Sequence, residues 1–180
     1  YLNNFGSHGL TVMLGHEYYD AQKKTLQSFA QGSFSRSIPE INAFATKTDS
    51  RSNTTRYNVE GVFGTVQYNF ADTYYAQGSF RRDASSRFDT DHRWGNFWSA
   101  GVAWIVSKEE FMGDTTWLFD ELKVKFSIGQ QGNDNIADYA FADTYVLQKA
   151  SETSMSAVFD RIGNKEITWE TTTNANVGLE

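Results

Sequence analysis

The sequence predicts an all-β protein arranged as an antiparallel up-and-down meander. Six segments alternate apolar and polar residues with a period of two, the spacing that places successive side chains on opposite faces of a strand. Aromatic residues make up 16% of the 180 residues, whereas proline occurs once. This composition suits long paired strands, because aromatic side chains favour strands and proline removes a backbone donor.

The fifth of the six predicted strands shows the alternation most clearly. Val124, Phe126 and Ile128 fall on one face, and Lys125 and Ser127 fall on the other. The other five segments follow the same rule with longer or shorter runs. The predicted strands cover residues 10–19, 57–70, 74–82, 94–106, 122–131 and a segment that begins near residue 169.

The predicted connections fall into two classes of length. Residues 71–73 form a tight turn, and residues 107–121 form a compact link in which 109–112 and 117–119 are expected to make helical turns. Residues 27–53, 82–93 and 130–168 are expected to form polar loops. If the strands run alternately up and down, the compact links lie on one side and the loops on the other, as in bacterial outer-membrane barrels.

The two faces of the predicted sheet differ in chemistry. The apolar face carries aromatic residues near strand ends, among them Tyr68, Tyr74, Trp98 and Trp104, whereas the other face carries Gly, Ser, Gln, Asn and Lys. Aromatic girdles and a watery lumen would explain this division. A soluble antiparallel sheet with an aromatic-rich core would explain it equally well. The alternation alone leaves both interpretations open.

Composition excludes several other classes of protein. The net charge is −6 and no basic stripe is present, which argues against nucleic acid as a partner. The absence of cysteine excludes disulfides and thiolate metal sites. No stretch reaches the roughly 20 apolar residues of a spanning helix. No nucleophile elbow, P-loop or dinucleotide fingerprint is found, so neither an enzyme nor a cofactor is expected.

Several sequence blocks resemble the SusC/RagA family of TonB-dependent transporters. The family's order is kept across almost the whole chain, with small departures at Ala84, where glycine is usual, and at Lys165, where proline is usual. Any one block is weakly specific, but their joint occurrence is highly specific. The blocks are GHEYY at 15–19, RRDASSRF at 81–88, RWGNFWSAG at 93–101, WIVSKEEF at 104–111, SIGQQGNDNI at 127–136 and WETTT at 169–173.

The resemblance implies a section of a large transmembrane barrel, in the class of roughly 22 strands. Residues 1–180 are then expected to be part of the barrel domain, with the plug and the remaining strands outside this chain. We expect it to be an internal piece, because Tyr1 is not an initiator Met and Glu180 falls within an alternating run. Alternatives are a small outer-membrane barrel with a structural or adhesive role and a soluble carbohydrate-binding β-sandwich.

The function implied by the resemblance is nutrient import across the bacterial outer membrane. The expected cargo is a glycan or an oligopeptide. The expected partners are a SusD-like lipoprotein that acts as a lid, the TonB complex, which would act through parts outside this chain, and outer-membrane lipid.

Charged residues in the block at 81–88 are the first candidates for cargo binding. Arg81, Asp83 and Arg87 are expected near the upper lumen, where they would hydrogen-bond cargo. The alternative is a structural loop in which the arginines pair with carboxylates such as Asp83 or Asp89, since charges in loops are commonly solvated or paired. The sequence favours the structural alternative.

Two aromatic residues are weaker candidates. Tyr145 and Trp169 would stack on sugar rings at the barrel mouth, although aromatic residues of barrel walls more often anchor or pack. No metal site is predicted. The loop at 132–135 lacks the spacing of a calcium loop, and the three histidines are scattered along the sequence.

Overall fold

The computed structural model describes residues 2–113, 120–151 and 153–180, with side chains described from residue 6 onward. Short 3-10 turns lie at Ile41–Ala43, Val106–Lys108 and Glu110–Met112. In chain order, the strands are β1 (Leu2–Phe5), β2 (His8–Ser33), β3 (Phe44–Phe70), β4 (Tyr74–Ser85), β5 (Trp94–Ile105), β6 (Lys123–Asn133), β7 (Thr144–Lys149), β8 (Met155–Arg161) and β9 (Glu170–Leu179).

The main sheet has seven strands in the order β1-β2-β3-β4-β5-β6-β9, and β7 pairs with β8 in a separate two-stranded sheet. The pairings whose registers are defined are all antiparallel. Sequential strands are neighbours except at β6 and β9, where the β7–β8 hairpin intervenes. The predicted all-β antiparallel meander is confirmed. The short β1 and the β7–β8 hairpin are additions to the six predicted strands.

The chain forms two compact units. One comprises residues 1–19 and 59–180, and the other comprises residues 20–58. The second unit consists of the far parts of β2 and β3 with the connection between them. Across the stretches that the structure covers, no helix has the length and apolar character needed to span a membrane.

The predicted loop at 27–53 is wrong over most of its length. β2 continues to Ser33 and β3 begins at Phe44, so the connection is residues 34–43. The Phe34 N–H donates to the Ala43 carbonyl at 3.0 Å, which closes the hairpin end. Backbone pairing between the two arms satisfies their N–H and C=O groups without an apolar face, and for this reason hydrophobic alternation did not reveal the strands.

The other connections are also shorter than predicted. β4 extends to Ser85, and the long link at 130–168 contains the end of β6 and the whole of β7 and β8. The tight turn at 71–73 is confirmed; Ala71 and Asp72 both have positive φ, as in hairpin turns. The helical turn expected at 109–112 is confirmed as the 3-10 turn Glu110–Met112, whereas the one expected at 117–119 lies outside the described residues.

Candidate functional site

The strand registers align apolar side chains in rows across the main sheet. One row consists of Tyr68, Ala76, Val102, Phe126 and Val177, each paired with the next. Val102 is 56% exposed and Val177 is 80% exposed. A contiguous exposed apolar surface of this kind marks contact with a partner or a membrane. We call the surface formed by the apolar side chains of β3–β6 and β9 the apolar face.

Aromatic residues form the edge of the apolar face beside the compact links. The rings of Phe70 and Tyr74 are 6.2 Å apart and those of Tyr74 and Trp104 are 6.4 Å apart, both stacked. Glu109 accepts hydrogen bonds from the Tyr74 hydroxyl and, at 2.9 Å, from Trp104 Nε1. These two bonds, that of Tyr74 first, hold the pKa of the Glu109 carboxyl below its usual value. Phe111 packs on Trp104 with the ring centroids 6.3 Å apart.

The opposite edge of the apolar face is polar and aromatic. The Arg82 guanidinium lies 5.0 Å from the centroid of the Trp94 ring, and His16 Nε2 lies 3.0 Å from the Glu60 carboxylate. Aromatic rings and long cationic side chains are the residue types that prefer a membrane–water boundary.

The distance between the two edges matches a membrane. Ala84 pairs with Trp94 at one edge and Tyr74 with Trp104 at the other, ten residues further along each strand. Ten residues span about 33 Å along a strand. At the tilt of about 40° that is common in outer-membrane barrels, this length corresponds to a height of about 25 Å, which matches the ~25 Å of their apolar band.

Neutral hydrogen-bonding groups cover the other face of the same strands, which we call the polar face. One row consists of Gln67, Gln77, Gly101, Ser127 and Asn176. The next row includes Ser79 and Ser99, whose hydroxyls lie 2.6 Å apart, together with Thr65, Gly129 and Asn174.

Two cavities lie along the polar face. The lower cavity, of about 790 Å³, reaches the compact-link end, where Lys123 lies over the Tyr75 ring at 5.9 Å and Lys125 pairs with Glu180. The upper cavity has a volume of about 590 Å³. Its lining includes Arg81, Asp83, Phe97, Ser99, Gln131, Asn174 and Trp169.

The predicted residues Arg81 and Asp83 lie together at this upper cavity. Arg81 Nε donates to both Asp83 carboxylate oxygens at 2.7 Å, and Arg81 Nη2 donates to Glu17 at 2.9 Å. The guanidinium also lies 5.3 Å from the Phe63 ring centroid. The alternative prediction, that an arginine of this block pairs with Asp83, is confirmed for Arg81.

The predicted residue Trp169 lines the same cavity but is held by packing. Its Nε1 donates to the Arg93 carbonyl at 2.8 Å, and its ring lies 5.2 Å from Phe97 and 5.3 Å from Phe88. Phe88 is fully buried beneath it. Trp169 therefore joins the start of β9 to the link between β4 and β5.

The predicted residue Arg87 has structural partners. Its Nε donates to Asp138 at 3.0 Å and its Nη1 donates to the Asp134 carbonyl at 3.1 Å. The buried Ser85 hydroxyl donates to the Asp134 carboxylate at 2.6 Å. These bonds tie the β4–β5 link to the segment after β6, and the carboxylates within ion-pair distance of Arg87 include those of Asp138 and Asp134.

The predicted residue Tyr145 lies on the β7–β8 hairpin. It is 62% exposed, and its ring makes an edge contact with Phe159 at 5.7 Å. The described residues that line the upper cavity include neither Tyr145 nor Arg87.

Sequence reasoning missed Phe97 as a member of the site. It pairs with Arg81 across the strands and is buried between the polar face and Trp169. The sequence does contain a signal for this role. Phe97 is a large aromatic residue on the face of β5 opposite Trp98, where the other residues are small and uncharged.

A sheet with one apolar and one polar face is typical of the wall of an outer-membrane barrel. Comparison with known families identifies the family. Residues 1–180 match the family described as TonB dependent receptor-like, beta-barrel. The chain belongs to this family, and the resemblance to its SusC/RagA members is confirmed.

Individual relatives agree with this assignment. The TonB-dependent receptor SusC of Bacteroides thetaiotaomicron is 28% identical over 193 residues, and TonB-dependent receptor P3 of Formosa agariphila is 29% identical over 192. Both matches cover 100% of this chain and 18% of the relative, so the chain spans under a fifth of their length.

Solved structures show the same fold. A structure of the RagAB peptide transporter superposes with a TM-score of 0.87 at 25% identity, covering 99% of this chain and 20% of that one. A structure of the RagAB peptide importer in the open-open state gives 0.81 at 25% identity, covering 97% and 19%.

Proposed function

We propose that residues 1–180 are a section of the barrel domain of a nutrient importer in a bacterial outer membrane. The whole protein takes up glycans or oligopeptides, works with a SusD-like lipoprotein and is driven through the TonB complex. The chain has no catalytic role and needs no cofactor. The names of the relatives support a receptor that depends on TonB, and the RagAB structures support a peptide as one class of cargo.

The main observation behind the proposal is that the same strands have an apolar face on one side and a polar face on the other. The apolar face is bounded by edges whose separation corresponds to a height of about 25 Å in a tilted barrel wall. The polar face presents amides and hydroxyls to two cavities. A wall with lipid on one side and water on the other requires this arrangement.

The two alternative functions fit the structure less well. A soluble sandwich buries its apolar face under a second sheet, whereas Trp98, Val102 and Phe126 are all more than 40% exposed in the part of the chain that is described. A small barrel is disfavoured by the length of the relatives, because the match to SusC covers all of this chain and 18% of that protein.

Adjacent residues on opposite faces provide the experiment for the membrane wall. Ala100 lies in the middle of the apolar face, and its neighbour Ser99 lies on the polar face. In the full-length protein, Ala100→Arg is expected to lower barrel stability by about 2–4 kcal/mol, because the charge enters lipid. Ser99→Arg is expected to change it much less.

The measurement is the folded fraction after reconstitution, read from the heat-modifiable shift in gel mobility. Equal losses in Ala100→Arg and Ser99→Arg, or a loss confined to Ser99→Arg, would contradict a lipid-facing role for the apolar face.

For cargo, we propose that the upper cavity contributes contacts through Arg81, Asp83 and Trp169. Tyr145 would add a stacking surface from its hairpin, and Arg87 would hold the neighbouring segment in place. Arg81, the cation among these residues that lines the cavity, is already paired with the carboxylates of Glu17 and Asp83. Neutral hydroxyls and amides of a cargo molecule are therefore better matched to the cavity than a strongly charged group.

Uptake by the full-length importer tests these contacts. Trp169→Phe keeps an aromatic ring but lacks the N–H that bonds to the Arg93 carbonyl, whereas Trp169→Ala removes the ring altogether. With equal amounts of folded barrel, Trp169→Ala is expected to reduce TonB-dependent uptake of the cargo at least tenfold and Trp169→Phe much less. If Trp169→Ala takes up the cargo as well as Trp169→Phe does, the proposed contact between Trp169 and the cargo is contradicted.

A further inference from the structure

A cation lies at one edge of the apolar face without a carboxylate partner. The Arg82 guanidinium lies 5.0 Å from the centroid of the Trp94 ring, and both side chains are exposed. Among the residues that the structure describes, no carboxylate lies within ion-pair distance of Arg82. Glu60, which is diagonal to Arg82 on the neighbouring strand, instead contacts His16 at 3.0 Å. The positive charge of Arg82 is therefore available to a ligand.

The position of Arg82 in the sheet places this charge on the side of the long connections. Arg82 lies near the end of β4 and Trp94 begins β5, so both flank the link at 86–93. The connection of residues 134–169 leaves the sheet at the same edge, whereas the tight turns at 6–7 and 71–73 lie at the opposite edge. In bacterial outer-membrane barrels the short turns are periplasmic and the longer loops are extracellular. In such a barrel, Arg82 would lie at the boundary of the outer leaflet.

Apolar rings lie next to this charge, towards the middle of the same face. Phe80 and Trp98 pair across β4 and β5, and they are 52% and 43% exposed. In the next row towards the middle, Gly78 pairs with Ala100, so large rings give way to small residues. A guanidinium at the edge, followed by exposed rings, matches a lipid that has an anionic headgroup and acyl chains.

The opposite edge of the apolar face lacks this arrangement at two of its charged side chains. Glu109 accepts hydrogen bonds from Tyr74 and Trp104, and Lys108 Nζ donates to the Asp72 carbonyl at 2.6 Å. Both charged groups thus have partners within the protein. The contrast with Arg82 assigns the available cation to the edge beside the long connections.

We propose that Arg82, stacked on Trp94, binds the phosphate headgroup of an outer-leaflet lipid whose acyl chains pack on Phe80 and Trp98. The proposal rests on the proposed function, because it requires the apolar face to lie in the outer membrane. The planar guanidinium of arginine binds phosphate through paired hydrogen bonds and also stacks on aromatic rings. Free phosphate would use the same donors without contacting the rings, so the two ligands can be distinguished.

Binding of a defined lipid to the full-length protein in neutral detergent tests the proposal. The probes are monophosphoryl lipid A, the same lipid without its phosphate, and inorganic phosphate. The variants are Arg82→Gln, which removes the charge, and Arg82→Lys, which keeps it. The matched control is Arg36→Gln, because Arg36 is an exposed arginine in the connection between β2 and β3. Folded protein is selected first by its heat-modifiable gel mobility.

The phosphorylated lipid is expected to bind the wild type and Arg36→Gln alike. It is expected to bind Arg82→Gln about tenfold more weakly, because charge-assisted hydrogen bonds to the phosphate are lost. Arg82→Lys should fall between them, since an ammonium lacks the planar fork of donors. Unchanged binding by Arg82→Gln overturns the proposal. Equal losses in Arg82→Gln and Arg36→Gln, or equal affinity of the wild type for the two lipids, also overturn it.

The rings provide a second variant that leaves the charge in place. Phe80→Ala shortens an exposed side chain without creating a cavity and is expected to weaken binding of the phosphorylated lipid severalfold. Unchanged lipid binding by this variant would contradict the acyl contact. Excess inorganic phosphate is expected to leave the lipid bound, because it cannot replace the contact with the rings. Displacement of the lipid by inorganic phosphate would assign Arg82 to free phosphate and overturn the proposal.

Failure of the proposed function gives a different result. If Ala100→Arg and Ser99→Arg destabilise the barrel equally, the apolar face does not face lipid and the membrane wall itself is refuted. If Ala100→Arg alone destabilises the barrel and Arg82→Gln binds the phosphorylated lipid normally, the membrane wall stands and the headgroup site is refuted.

Discussion

Truncation of Phe88 tests whether the link between β4 and β5 is a packed structural element. Phe88 is fully buried and its ring lies 5.3 Å from that of Trp169. Phe88→Ala removes most of a large buried side chain, a change that costs about 3–5 kcal/mol in well-packed sites. The cost falls on local opening, because the contacts of the ring join the link to the start of β9 rather than one barrel strand to the next.

Hydrogen exchange of the full-length protein in detergent measures that cost at named amides. The Ser85 N–H donates to Arg93 and the Phe88 N–H donates to Ser85. A loss of about 3 kcal/mol corresponds to exchange faster by roughly 150-fold. The control is Phe34→Ala, a truncation of a ring that is 86% exposed. If the amides of this link exchange in Phe88→Ala within twofold of both the wild type and the control, the packing argument is refuted.

Two further predictions concern polar contacts. Ser85→Ala removes the hydroxyl that donates to the Asp134 carboxylate. It is expected to reduce local stability by about 1–3 kcal/mol, which is measured as faster amide exchange in residues 133–138. Unchanged exchange there would show that the bond does not contribute to stability. Glu109 has a lowered pKa when folded, so its contribution to stability is present above its unfolded pKa and is lost as pH falls through the folded value. Wild-type Trp104 emission should therefore show an acid transition that Glu109→Gln lacks, and identical curves would contradict the assignment.

The two faces of the sheet were predictable from sequence because strand geometry converts a period of two into sidedness. Tyr74 and Trp104 were assigned to the apolar face, and the structure pairs them across β4 and β5. The assignment needs no knowledge of the neighbouring strand, since each strand carries its own alternation. For the same reason, the tight turn at 71–73 was found between two alternating runs.

The ends of the strands were not predictable in the same way. In the arm of β3 before Asn58, residues such as Thr46, Thr48, Ser50 and Ser52 fill positions without apolar contrast. Their strand state depends on pairing with β2, for example through the 3.1 Å contact between the Ser28 and Ser50 hydroxyls. Pairing over such distances is a tertiary property that local pattern does not encode.

The partners of the candidate residues were hidden for a related reason. Arg87 and Asp138 are 51 residues apart in sequence, and nothing local distinguishes Asp138 from Asp89 as the partner. The antiparallel pairing of β5 and β6 brings the link before β5 close to the segment after β6. The sequence indicated that the arginines of residues 81–88 would bind polar groups. The fold was needed to show that Arg81 lines the upper cavity, whereas Arg87 makes structural contacts.

Gly132 tests how tightly the upper end of the wall is packed. A Cβ there would lie less than 3.0 Å from three atoms of the Phe97 ring, so Gly132→Ala must displace a ring that also contacts Trp169. Overpacking of this kind costs about 1–3 kcal/mol. Gly178→Ala is the control, since its Cβ would meet the Lys125 Cβ at an ordinary 3.8 Å.

The double variant Gly132→Ala/Phe97→Leu separates overpacking from a backbone effect. If the clash with the ring is the cause, the smaller side chain restores much of the stability lost in Gly132→Ala, and the two changes are non-additive. If the loss arises instead from the backbone of β6, the two costs add. Additive costs, measured by denaturant unfolding of the full-length barrel in detergent, would refute the close contact between Gly132 and Phe97. They would also leave the burial of the Phe97 ring on the polar face without a packing explanation.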